Sequence, residues 1–242
     1  MHWKVVPLVA ALMTPILFLS AAPVHATSPE STSTESISIP AASQGAAPRS
    51  SASQFSALAQ KVKTARPREE SSTGTTYQRS AFKHWVRQPD GCTTREVVLT
   101  RDATGGSRDG CKMVNATWVS PYDGVTTNNP SAFDIDHMVP LKEAWVSGAR
   151  DWTPEQRKAF ANDLGYRDSL LAVSASSNRS KGDRGPARWM PPEVKDDCAY
   201  VSQWVAVKWR WNLTMDAKEK KKVKSVLSGC GSSDVPLPKK AD

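Results

Sequence analysis

Apolar positions along the chain follow three successive rhythms. They run almost unbroken over residues 5–19 and thin out over 27–75. Beyond about residue 76 they recur at helix or strand spacing. In that last part, Tyr77, Ser80-Ala81 and Trp85 share a face of a helix predicted over 77–86. Val98-Leu99 marks a strand over 94–101, and a second strand over 111–119 stops at the turn Ser120-Pro121-Tyr122-Asp123-Gly124. A central strand carries Asp134-Ile135-Asp136-His137 and ends near Val139-Pro140, because proline lacks the donor that a ladder needs. A short helix over 141–146 follows, closed by Ser147-Gly148. Thr153-Pro154-Glu155-Gln156 starts another: a threonine cap, proline first, glutamine in the capping-box place; it runs to about Leu164 as a packing element. Strand 169–174 leads to a short helix with Asn178 near its start. An amphipathic helix over 197–211 bears Trp204, Trp209 and Trp211, and Thr214 caps a last helix through Leu227. Within the sparse stretch only 55–62 has the makings of a brief helix.

These rhythms divide the chain. Lys4, the apolar run and Val24-His25-Ala26 have the order of a secretory signal over 1–26, so an exported protein with no membrane contact after cleavage is expected. Residues 27–75, rich in Ser, Ala, Thr and Pro, bury too little apolar surface to order themselves; a pro-segment and a tether are both open. One domain over 76–231 and a flexible tail over 232–242 complete the plan, and no partner protein is evident, so a monomer is expected. The formal charge is +8, of which 26 basic against 20 acidic residues lie beyond position 75; such an excess favours a polyanion partner. Cys92, Cys111, Cys198 and Cys230 include no Cys-x-x-Cys pair, which argues against zinc and, in an exported chain, for disulfides. Three connectivities are open; Cys92–Cys111 with Cys198–Cys230 closes the most local loops.

Chemistry concentrates in two stretches, Asp134–Leu141 and Ser177–Asp183. A carboxylate beside a histidine, and an asparagine 42 residues after the carboxylate, are the residue types that phosphodiester hydrolysis requires. A hard cation neutralises the phosphate, and Mg²⁺ needs few protein oxygens because it keeps several waters. Asp136 and Asn178 suit that role, and His137 suits a general base because imidazole titrates near neutrality. Neighbouring strand residues face opposite ways, so Asp136 and His137 share a site only where the strand ends. Arg95, Arg179 and Lys181 are candidate phosphate contacts, while Asp183 is expected to brace its loop. Tyr122-Asp123-Gly124 is simplest as a structural turn, and His84 beside Trp85 as a structural or substrate-side residue.

Asp134-Ile-Asp-His-Met-Val-Pro-Leu141 followed by Ser177-Asn-Arg-Ser-Lys-Gly-Asp183 resembles the HNH, or ββα-metal, nuclease signature. It is similar to the HNH domain of RNA-guided CRISPR effectors. It is more similar to small secreted actinobacterial HNH endonucleases related to the C-terminal domain of GmrSD-type restriction enzymes. That likeness covers about 77–230 and includes His84-Trp85, Gly91-Cys92, Tyr122-Asp123-Gly124, Ala144-Trp145, Phe160-Ala161-Asn162-Asp163-Leu164 and Trp189-x-Pro191-Pro192. It implies an α+β fold with a ββα-metal (His-Me finger) core, extra helices and the local disulfide pairing. It also implies one divalent ion, Mg²⁺ with Mn²⁺ or another ion open, on Asp136 and Asn178, His137 as base, and DNA cut to 5′-phosphate ends. No base-reading element is visible, so low sequence specificity is expected. The chain departs from the family at Ser169, where an asparagine braces the loop of the base. Serine offers one hydroxyl instead of an amide, which is expected to loosen the site. Two alternatives accompany this expectation: a sugar-nonspecific nuclease or RNase, and a weakened scaffold that only binds nucleic acid.

Overall fold

A computed structural model describes residues 50–67, 76–193 and 197–241. The expected secretory signal and most of the Ser/Ala/Thr/Pro-rich segment lie outside the described residues. Among the described residues no helix is long and apolar enough to cross a membrane.

The first surprise is at the N-terminal side. Strand β1 (Ser50–Ser51) leads into helix α1 (Ala52–Lys61), which opens with a capping box between Ser51 and Gln54. Phe55, Leu58, Ala59 and Val62 are buried in the main core. The brief helix expected over 55–62 thus forms as Ala52–Lys61, and the disorder expected around it fails for 50–54. Apolar residues at i, i+3 and i+4 let a short Ser/Ala-rich segment bury a complete stripe.

After one turn of 3-10 helix (Arg79–Ala81), the chain is irregular and bends at Trp85, which has φ +58°. The helix expected over 77–86 does not form. Asn162 instead takes Val86 N–H with its Oδ1 and offers its amide to Lys83 O, so the backbone hydrogen bonds of this stretch go to a side chain.

Helix α2 (Thr94–Arg101) replaces the strand expected there. Its β-branched residues suggested a strand, but Thr93 and Glu96 form a reciprocal capping box that starts a helix. Strands β2 (Ser107–Asp109) and β3 (Lys112–Val114) make a hairpin, and β4 (Trp118–Val119) pairs with β5 (Thr126–Thr127). Asn115, at φ +55°, breaks the single strand expected over 111–119.

The central hairpin is β6 (Phe133–His137) antiparallel to β7 (Leu170–Ser174), in register from Phe133 opposite Ser174 to His137 opposite Leu170. Between them lie α3 (Leu141–Val146) and α4 (Pro154–Ala161), the latter with the expected Thr153 cap. Helix α5 (Ala175–Lys181) follows β7 directly. Phe133, Ile135, Leu170 and Ala172 pack with Val98, Ala116 and Trp118 in a small second core on one face of the hairpin.

Helix α6 (Asp197–Arg210) and α7 (Ala217–Leu227) build the main core with α1, and Trp204 is fully buried there. The cap of α7 is Asp216, in a box with Glu219; Thr214 instead donates its hydroxyl to Ser147 O. The residues expected as a flexible tail are also packed. Strand β8 (Ser232–Ser233) pairs with β1, Val235 is buried, and Tyr166 and Arg210 donate to the carbonyls of Pro236 and Lys239. Cys92–Cys111 and Cys198–Cys230 are bonded as expected. The fold is α+β, built from helices and two-stranded sheets.

If α1 is part of the folded unit, Phe55→Ala should lower unfolding free energy by roughly 3–5 kcal/mol. Urea denaturation checks this; an unchanged midpoint would place the segment outside the cooperative unit.

Candidate active site

The end of β6 and the inner face of α5 meet at a cavity of about 230 Å³. Strand β6 stops at His137, and the chain bends at Met138 and Val139 before Pro140. That stop lets adjacent Asp136 and His137 both line the cavity, joined there by Asn178, Arg79, Arg179 and Asp183. Asp136, His137 and Asn178 are thus brought together as the sequence suggested.

Asp136 is buried and its Oδ2 accepts two bonds, from Tyr122 Oη at 2.6 Å and from Lys181 Nζ at 2.5 Å. Both donors reach the same oxygen, which leaves Oδ1 for the cavity. Burial, then the charge of Asp136, holds the Tyr122 phenol well above its ordinary value, so it stays a donor. The Tyr-Asp-Gly turn is therefore more than a turn. Asp123 accepts from the hydroxyls of Ser174 and Ser177, tying the turn to the start of α5. Burial opposes ionisation of Asp123, but the hydroxyls of Ser174, Ser120 and Ser177 outweigh it and lower its pKa.

Lys181 is fully buried. Besides Asp136, its ammonium donates to His137 O at 2.9 Å and Met138 O at 3.0 Å. Burial lowers its pKa and Asp136 pulls the other way. The proposed phosphate contact is thus corrected: this cation is an internal brace, inaccessible to a substrate. Arg95 is corrected likewise, since its guanidinium donates to Phe133 O at 2.8 Å and Pro130 O at 3.3 Å and braces the start of β6. Arg179 alone of the three proposed contacts lines the cavity, and it is exposed. Arg79, unremarked in the sequence, faces the cavity beside it.

Asn178 and Lys181 stand three apart, on one face of α5. Asn178 Nδ2 donates to Asp134 Oδ2 at 2.9 Å. A carboxylate only accepts here, so the amide nitrogen faces Asp134 and the amide oxygen faces away from it. Gly182 ends α5 at φ +54°, ψ −132°, a conformation that a side chain would oppose.

His137 Nε2 lies 3.0 Å from Ala161 O, the last carbonyl of α4. A carbonyl cannot donate, so Nε2 carries the proton and Nδ1 keeps the lone pair. The ring is stacked on Trp85 at 5.3 Å and on Phe160 at 6.4 Å. His84 meets Trp85 edge-on and its Nδ1 donates to Phe82 O, so it backs the Trp85 wall. Burial lowers the His137 pKa to about 3; the Ala161 bond opposes this, while the charges of Arg79, His84 and Lys181 add to it. Sequence reasoning treated α4 as packing only, yet its final carbonyl sets the tautomer. The Phe160-Ala161-Asn162-Asp163 run held that information.

Ser169 does not turn its hydroxyl toward His137. The hydroxyl donates to Asp163 Oδ2 at 2.7 Å, and Asp163 accepts in turn from Nε and Nη2 of Arg210 and from Trp211 Nε1. Its backbone carbonyl accepts from Met138 N at 3.0 Å. Ser169 therefore positions the loop of the histidine through its main chain, while its side chain joins a satisfied buried cluster.

The polar donors available to a cation are hard oxygens: Asp136 Oδ1 and the Asn178 amide oxygen. No group of three or more His, Cys, Asp or Glu suited to a metal occurs among the described residues. One carboxylate and one amide fit Mg²⁺, which retains most of its water, and do not fit a zinc site.

Residues 95–224 match the family described as GmrSD restriction endonucleases, C-terminal domain. A protein of Arthroderma benhamiae, named as an uncharacterized secreted protein, is 44% identical over 155 residues, which are 64% of this chain and 76% of that protein. No solved structure matches.

Two outcomes test the geometry. Lys181→Met strands a buried carboxylate and should cost on the order of 3–5 kcal/mol in urea unfolding at pH 7, most of it recovered in Asp136→Asn/Lys181→Met. Additive losses would show that the pair is not coupled. For His137, the folded pKa lies below the unfolded one, so between about pH 3 and 6.5 the unfolded chain binds the extra proton. Stability then rises with pH through that window and is level above it, by a few kcal/mol at most. His137→Phe should flatten this rise; an identical pH profile would mean that the imidazole is not held neutral.

Proposed function

Since the chain belongs to the family of GmrSD restriction endonuclease C-terminal domains, we propose that it is a secreted, metal-dependent endonuclease with a ββα-metal core. It hydrolyses DNA phosphodiesters with low sequence specificity. Export is supported by the signal-like residues 1–26 and by the name of the fungal relative. The observation that carries the mechanism is the His137–Ala161 bond: it fixes the imidazole with Nδ1 free, beside the oxygen donors of Asp136 and Asn178.

His137 is the general base and takes a proton from water at Nδ1. Burial holds the ring neutral with Nδ1 unprotonated, and by the same cause makes it a weaker base than the near-neutral imidazole expected from the sequence. Trp85 and Phe160 keep the ring plane fixed while Lys181 fixes the backbone beneath it. Asp136 and Asn178 would hold a divalent ion such as Mg²⁺, which when bound supplies charge neutralisation at the phosphate and acidifies water. Asp134 orients the Asn178 amide, and Tyr122 with Lys181 orients Asp136. Arg79 and Arg179 offer exposed guanidinium groups to the substrate's phosphates. Backbone contacts of this kind carry no sequence information, which matches low specificity.

Purified mature protein should nick plasmid DNA with Mg²⁺ or Mn²⁺ and lose that activity in EDTA. His137→Ala should lower the rate by about 100-fold or more. Full activity in His137→Ala would remove the assigned base. Metal-independent DNA binding without cleavage by the wild type would make the protein a binder, and faster cleavage of RNA would make it an RNase.

A further inference from the structure

A second, larger cavity of about 520 Å³ adjoins the first, and Asp183 lines both. Its wall has an unusual division of charge. Glu143 accepts from Lys208 and Ser147, both at 2.7 Å. Glu219 accepts from Trp204, Lys208 and the Asp216 amide, and Asp216 caps the Glu219 amide at 2.7 Å. Glu143 and Glu219 share the buried Lys208, and Asp216 is held by a backbone amide, so all three are fixed by partners within the fold. The cations on the same wall are not. Lys142 and Arg188 are exposed and make no side-chain hydrogen bond among the described residues. Arg184, also exposed, uses only Nε, toward Lys181 O. What reaches outward on this wall is the side chains of Lys142, Arg184 and Arg188, with exposed Asp183 at the boundary and half-buried Asp216 and Glu143 beside them.

The wall is also built rather than loose. A Cβ on Gly185 would lie 2.9 Å from Trp204 Cζ2, so the segment is pressed directly onto a fully buried ring. Arg188 N and Trp189 N both donate to Gly185 O, closing the turn. The backbone from which Arg184 and Arg188 project is therefore held against the core, while their guanidinium groups reach solvent.

We propose that this second cavity is a phosphate-binding extension of the active site, taking the backbone of the nucleic-acid strand that flanks the scissile bond. The inference rests on the nuclease reading, since it assumes that the strand enters the neighbouring cavity. A strand whose scissile phosphate lies at His137 would then place its next phosphates past Asp183, against Lys142, Arg184 and Arg188. The preferred substrate is therefore a strand several nucleotides long, with short fragments bound weakly.

Fluorescence anisotropy of the full-length protein in EDTA tests this, with labelled single-stranded DNA of 20 and of 4 nucleotides. Lys142→Ala/Arg188→Ala should raise the 20-mer Kd about tenfold and the 4-mer Kd far less. The slope of log Kd against log salt for the 20-mer should fall by roughly 1.4, the value for two lost phosphate contacts on a single strand. Lys142→Arg/Arg188→Lys should retain wild-type affinity, which separates lost charge from lost structure. An unchanged 20-mer Kd, or equal losses for both lengths, overturns the proposal. Plasmid nicking is scored separately. Nicking with an unchanged Kd removes this site and leaves the nuclease; a charge-dependent Kd without any nicking removes the nuclease and leaves the site.

Discussion

The ammonium of Lys181 is the constraint from which the site follows. A fully buried cation is costly unless its hydrogens are all answered, and here three acceptors answer them: Asp136, His137 O and Met138 O. Those acceptors come from the point where β6 stops being a strand. One side chain therefore does three things. It fixes the carboxylate rotamer, stabilises the bend that brings Asp136 and His137 to the same cavity, and docks α5 at a set height against β6. With α5 docked, Asn178, one helical turn earlier, falls beside Asp134. Glycine at 182 lets the chain leave the helix immediately after the anchored lysine.

A two-stranded hairpin is not stable alone, so its surroundings have to complete it. Helix α2 satisfies the outer edge of β7 with side chains: Arg101 donates to Leu170 O, and Asp102 accepts from Ala172 N. The inserted α4 closes the other side by stacking Phe160 on His137 and offering it the Ala161 carbonyl. Asn162 and Asp163, the next two residues, pin the Trp85 segment and the α6 terminus respectively. Four consecutive residues of α4 and its cap thus serve the histidine from different directions.

Much of this was legible in the sequence where one local rule operated without a rival. The Thr153 capping box, the apolar faces of β6 and β7, the α6 stripe and the stop at Val139-Pro140 are of that kind. Errors arose where two local rules competed. Thr94–Arg101 has strand-forming Val-Val and a Thr-x-x-Glu cap, and the cap prevailed because its two reciprocal bonds begin a helix that α2 then packs on the hairpin. Residues 50–62 lie in a stretch whose average composition indicates disorder, yet a single apolar stripe was enough to order them. The inward lysine could not be read from spacing alone. Lys181 and Arg179 sit two apart in one basic cluster, and only the direction of the helix face decides that one is a brace and the other is exposed.

That division by direction bears on how charge relates to function. The net charge of +8 does not distinguish a nucleic-acid-binding protein from a merely soluble basic one. Sorting each cation by what it touches separates those that hold the fold together from those left at its surface. Lys181, Lys208, Arg95 and Arg210 satisfy carboxylates or carbonyls of the fold and contribute little field outside it. Arg79, Arg179, Lys142, Arg184 and Arg188 line cavities whose acidic groups are largely answered from within. The exposed cations of both cavities lie on the side of the molecule that holds the fixed imidazole. On the proposed reading, an anionic diester approaching along these cations meets an imidazole whose Nδ1 is unprotonated.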